Sequence, residues 1–192
     1  MHTEDHLQRL IPYRLDSLAI LALMLEFRLK WEEPKPMQIL VDGRLQFEGL
    51  TSMFTNPIIE AGILHVRALL EFLGLKTAAG SLIAVKPSQR RQDDAAIELL
   101  THAGQPLQQV SPAQARASHP ENPTHGEACL VAAIEAANKG MAHLSTHYAN
   151  SQMEAGQLLL AARLTQQLVE QYVYLPLGRV RPPLPIEARN RE

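Results

Sequence analysis

The chain has 192 residues, enough for one domain with a proper core. Hydrophobic residues make up 46% and charged residues 20%, and the formal net charge of −2 gives no global basic footprint for nucleic acid. Its single cysteine, Cys129, excludes an intramolecular disulfide and a zinc site built on several cysteines.

The first ten residues are polar and partly acidic, and do not read as a signal or transit peptide. Residues 12–32 read as the first helix, started by Pro12, with Leu15, Leu18, Ala22, Leu25 and Leu29 at helical spacing. Its run Ser17–Leu25 is too short for a membrane span, which takes about twenty apolar residues. It reads as a core segment; no membrane contact is expected, and the cytoplasm is the default location. Asp16 and Glu26 bound the run as exposed ends, and Glu33–Pro36 breaks the helix. Residues 38–47 place two short runs around Asp42-Gly43, a strong hairpin signal. A lone hairpin is marginal, so this one must pack on helices or pair with another chain. The alternative is an irregular loop turning at the same dipeptide.

Pro57 to Gly74 (PIIEAGILHVRALLEFLG) predicts the central helix, with Asn56 as N-cap, Pro57 at the first position and Gly74 closing it. Its apolar residues lie nearly all round, which predicts burial on every side. Glu60, His65, Arg67 and Glu71 therefore stand out, because a buried charge must be paired. Further on, Ser81–Val85 reads as a short strand or buried loop. Asp93-Asp94 open a helix to about Ala103, and Ser111-Pro112 cap a short one to about Ala117. His119–His125 reads as loop. Residues 126–148 form an amphipathic helix carrying Leu130, Ile134, Ala137, Met141, Leu144 and Tyr148 on one side. A last helix, from about Gln152 to Tyr174, follows as its antiparallel neighbour. These elements predict a mainly α (all-α) fold in one domain, residues 1–175. It is a bundle of about four longer helices plus one or two short ones, with an optional β-hairpin near 38–47. Residues 176–192 form a Pro/Arg-rich tail. Its RVRPPLP run has the spacing of a proline-rich ligand, though a docked or flexible tail is the simpler reading.

No phosphate loop, dinucleotide fingerprint or nucleophile elbow is present, and no cofactor is implied. Cys129, in an apolar helical stretch, reads as a small core residue. Arg67 and Glu71, one turn apart, can pair along the helix, which makes a packing role with a hydrogen-bonded His65 the plainer reading. The sharper one is an anion site, with Arg67 holding the anion and His65 exchanging a proton. His143 and His147 share a helix face, as metal-binding histidines do.

Two fragments together carry a resemblance: Glu60-x4-His65-x-Arg67-x-Leu69-x2-Phe72, and Asn138–Ser145 (NKGMAHLS), an AHL(S/T) element. They resemble a group of bacterial all-helical proteins distantly similar to HEPN helical domains. The resemblance implies that Glu60, His65, Arg67 and His143 come together, and it implies no particular activity. HEPN ribonucleases carry an Arg, four to six residues, then a His on one helix; here no Arg has a His at that distance, and His65 precedes Arg67.

Three functions follow, in order of preference. The first is a non-catalytic module that binds a protein partner or itself as a homo-oligomer, through the hairpin edge and the tail. The second is a ligand- or nucleic-acid-processing site built on Glu60, His65, Arg67 and His143, with His65, Arg67 and His143 as catalytic candidates. The third is a metal site on His65, His143 and His147 with Glu60.

Overall fold

A computed structural model describes residues 6–91, 93–140 and 154–183. Among these, the chain is mainly α, with five α-helices and three two-stranded antiparallel hairpins. Helix α1 spans Ile11–Lys30, entered through a wide turn at His6–Leu10. Pro12 sits in its first turn, and Ile11, Leu15, Leu18, Leu21 and Leu25 form the buried stripe. Leu29, assigned to that stripe by spacing, is exposed. Asp16 and Glu26 are half-buried rather than exposed. Glu26 accepts from Arg163 at 2.7 Å, which ties α1 to the last helix.

The hairpin over 38–47 forms and is longer, with β1 over Pro36–Val41 and β2 over Arg44–Leu50. Asp42 and Gly43 take φ values of 50° and 74°, the left-handed pair that a two-residue hairpin turn requires.

Helix α2 spans Ser52–Phe72 and starts five residues before the predicted Pro57. Asn56 is therefore inside the helix, not its cap. The start is set by Thr51, whose carbonyl accepts from the amides of Phe54 at 3.1 Å and Thr55 at 2.9 Å. Pro57 lies inside the helix and leaves the Met53 carbonyl without its intrahelical amide partner. The helix ends as expected at Gly74, whose φ is 96°. Its burial is not complete. Ile59, Ile63, Val66, Leu69 and Leu70 are buried, but Asn56, Pro57, Ala61 and Leu64 are exposed and Glu60, Arg67 and Glu71 half-exposed. The charges follow this outward stripe, so they do not carry the penalty of a fully buried charge.

Strands β3 (Leu75–Ala78) and β4 (Ser81–Ala84) make a second hairpin, separate from the first. The helix predicted from Asp93 to Ala103 is absent. Asp94 instead accepts from the amide of Arg91 at 2.8 Å, and Ile97–Leu99 form one tight 3₁₀ turn. Ala103-Gly104 then turn a two-residue ladder, β5 (Thr101–His102) against β6 (Gln105–Pro106). With only Ala96, Ile97 and Leu100 of this segment buried, there is too little apolar face to support a helix.

Helix α3 (Pro112–Ala117) has a full capping box between Ser111 and Gln114. Helix α4 (Pro123–Glu135) starts three residues before the predicted 126, because Asn122 caps it by accepting from the amide of His125 at 3.1 Å. It continues as a wide turn over Ala136–Gly140. Its Leu130, Ile134 and Ala137 are buried as expected; Met141, Leu144 and Tyr148 lie outside the described residues. Helix α5 (Ala155–Val169) runs on through a wide turn at Glu170–Tyr174.

Helices α1, α2, α4 and α5 pack around one core. Cys129 lies in it as a small apolar residue, and burial pushes its thiol pKa up. The buried hydroxyl of Thr165 is satisfied by the Ala161 carbonyl at 2.8 Å. No helix among the described residues is long and apolar enough to cross a membrane.

Candidate functional site

His65 and Arg67 sit two positions apart on α2, so they leave the helix on different sides. His65 meets α1. Arg14 Nη1 lies 3.2 Å from its Nδ1, and the Tyr13 ring stands edge-on at 5.4 Å. Arg14 can only donate, so Nδ1 is the acceptor and the imidazole proton belongs on Nε2. Burial and the Arg14 charge both hold the His65 pKa below its ordinary value. This is a neutral histidine that orients a guanidinium.

Arg67 donates instead to Glu71, from Nε at 3.1 Å and from Nη2 at 3.0 Å. Both side chains are over a third exposed, so the pair contributes little stability. Glu60 lies two turns before Arg67 on the same half-exposed stripe. His143 and His147 lie outside the described residues, as does most of the second fragment of the resemblance. No group of three metal-ligating side chains occurs among the described residues. The sequence reading missed Arg14, whose relation to His65 is made across two helices.

The other candidate is the first hairpin. Its base is fixed by a reciprocal clamp: the Thr51 amide donates to the Lys35 carbonyl at 2.8 Å, and the Lys35 amide donates to Thr51 Oγ1 at 3.0 Å. Above that clamp it stands off the body, meeting it chiefly where β2 runs into α2. Met53 covers Gly49 there; its Sδ is 2.9 Å from where a Cβ on Gly49 would stand. Met37 and Ile39 are half-buried, and the other large apolar side chains of the hairpin are exposed. Of thirteen large hydrophobic side chains exposed among the described residues, six fall between 40 and 53: Leu40, Val41, Leu45, Phe47, Leu50 and Met53. Phe47 is 62% exposed and Met53 65%.

The two edges of this hairpin differ. Strand β2 carries Arg44 and Glu48, and a register shift opposite Ile39/Leu40 puts a bulge near Gln46. Charges and bulges are what keep an edge from recruiting another strand. Strand β1 (PMQILV) has no charge and no such bulge, and only Pro36 at its base lacks an amide donor. Protein-family models, curated proteins and solved structures were compared with this chain, and none matches it.

Proposed function

We propose that the chain is a non-catalytic, self-associating module in which the β1 edge pairs with β1 of a second copy. The observation that carries this reading is a clamped hairpin with apolar side chains uncovered on both faces and one unprotected edge. A second β1 laid antiparallel, with Ile39 opposite Ile39, brings Met37 opposite Val41 on the same face. Such a two-fold contact is self-complementary and closes at a dimer. It also extends a marginal two-stranded hairpin into a four-stranded sheet. Six of the thirteen large apolar side chains exposed among the described residues fall within residues 40–53, which supports a contact surface there.

The test is the solution mass of the full chain across a dilution series, beside Ile39→Lys and Leu40→Lys. The expected result is a dimer for the parent and a monomer for both variants, with folded circular dichroism spectra throughout. A parent chain that stays monomeric at every concentration overturns the proposal. So does a dimer that survives both lysines.

A further inference from the structure

A cleft of about 500 Å³ opens at the far end of α2 from the hairpin. Its walls come from the start of α1, the last two turns of α2, Lys76 on β3, Val85, and residues 89–91 and 94–95. Five cationic side chains line it, Arg14, Arg67, Lys76, Arg90 and Arg91, against two carboxylates, Glu71 and Asp94. An excess of three positive charges in one cleft is notable in a chain of net charge −2.

The five cations are not equivalent. Arg67 is engaged by Glu71. Arg90, only 13% exposed, is built into the wall. Its Nη1 donates to the Glu71 carbonyl at 3.2 Å and its Nη2 to Glu98 at 3.2 Å; Glu98 in turn accepts from the Gln109 amide. That leaves the Nε–H of Arg90 buried with no acceptor among the described residues, a donor that is costly to leave unmet. The side chains of Arg14, Lys76 and Arg91 form no ion pair among the described residues, although the Asp94 carboxylate, held by the Arg91 amide at 2.8 Å, lines the same cleft. Lys76 donates to the neutral Gln89 at 2.6 Å, and Arg14 is oriented by His65. The apolar surface of the cleft comes chiefly from Leu10 and Val85, since Ile11 and Phe72 are core residues only 3% and 6% exposed.

We infer that this cleft binds a small phosphate-bearing organic molecule. Arg14, Lys76 and Arg91 take the phosphate charge, Arg90 fixes the wall beside them, and the apolar lining takes the body of the ligand. Phosphate suits the site better than a single carboxylate because three unpaired cations need more than one negative charge to answer them, and arginine presents its donors in a fork that matches phosphate oxygens. The volume lies within the about 300–1,000 Å³ usual for small-ligand sites. His65 is a positioning residue here: it holds Arg14 and does not itself line the cleft.

Calorimetric titration of the full chain at low salt tests this, with ADP, pyrophosphate, inorganic phosphate and citrate as probes. ADP is expected to bind saturably at one site per chain, more tightly than inorganic phosphate and than citrate. Lys76→Gln and Arg91→Gln are each expected to weaken ADP about tenfold, a loss of about 1.4 kcal/mol. Arg44→Gln, the same charge change out on β2, should leave ADP binding unaltered. Arg91→Gln should melt at or above the parent temperature, because its side chain makes no ion pair among the described residues, and Lys76→Gln should melt close to it, because it gives up only the exposed hydrogen bond to Gln89. Absence of saturable binding by any phosphate probe overturns the inference. Equal weakening by Arg44→Gln also does, since it means nonspecific attraction, and so does citrate binding more tightly than ADP, which would make the ligand a polycarboxylate. The hairpin proposal is read from solution mass, so either can fail without the other.

Discussion

Gly62→Ala should destabilise the protein although alanine is the better helix former. Gly62 lies on α2 where that helix crosses α1, and a Cβ added there would stand 2.7 Å from Leu21 Cβ and 2.8 Å from each Leu21 Cδ. Contacts that short do not occur between carbon atoms, whose preferred separation is about 3.5–4.0 Å. Leu21 has no room to turn aside, because it is fully buried. The helices must therefore separate, and overpacking of this kind costs about 1–3 kcal/mol. Replacing a mid-helix glycine returns about 1 kcal/mol of propensity. The net loss is up to about 2 kcal/mol, a fall in melting temperature of up to roughly 8 °C for a domain of this size. The sharper assay is a double-mutant cycle with Leu21→Ala. That substitution alone should cost about 2–5 kcal/mol, and the double variant should cost less than the two singles together, since the new methyl then has somewhere to go. Strict additivity, or a rise in melting temperature for Gly62→Ala alone, would refute the close crossing of α1 and α2. That crossing also sets the reach of Arg14 to His65.

Two further outcomes follow from single groups. Because burial and Arg14 hold the folded His65 pKa below its ordinary 6.5, the unfolded chain binds a proton that the native chain refuses between those two values. Stability therefore rises with pH through that window and is lost as pH falls through it; urea unfolding from pH 5 to 7 should show this slope in the parent and a shallower one in His65→Leu. Gly74→Ala should lower the melting temperature, because a φ of 96° costs a side chain about 1–2 kcal/mol and its Cβ would meet Gln109 Cγ at 2.8 Å. A melt within about 1 °C of the parent would show that the backbone there adjusts freely.

Much of the fold was legible where the signal is local. Pro12, Gly74, Asp42-Gly43 and Ser111-Pro112 each fix backbone conformation through their own chemistry, and each stands where that chemistry places it. Legibility failed where a local signal had a competitor. Asn56-Pro57 is a good helix start, but the Thr51 carbonyl begins the helix earlier, and nothing in the sequence near Thr51 announces its clamp to Lys35. Asp93-Asp94 look like a first turn, yet Asp94 is used by the Arg91 amide, and Ala103-Gly104 turn the chain back. The site was least legible of all. Arg67 could be singled out on its helix, but Arg14, Lys76 and Arg90 are ordinary surface cations in the sequence. Only the packing of α1, β3 and residues 89–91 against the end of α2 gathers them.

Helix α2 links the two proposed surfaces and also separates them. The hairpin enters it at Thr51–Ser52, and the cleft is built on its last two turns, about five turns and roughly 25 Å further along a stiff element. Neither end shares a side chain with the other. Coupling between them would need α2 to possess two arrangements. Its buried face is locked against Leu21 at Gly62 and closed by the glycine geometry at 74. A rigid rod fixed at its middle transmits position but not a switch. If both proposals hold, the cleft and the β1 edge act independently, and ADP should bind Ile39→Lys as tightly as it binds the parent chain. A difference of tenfold or more in that comparison would mean that α2 does shift, and that the Gly62 contact is one of two packings.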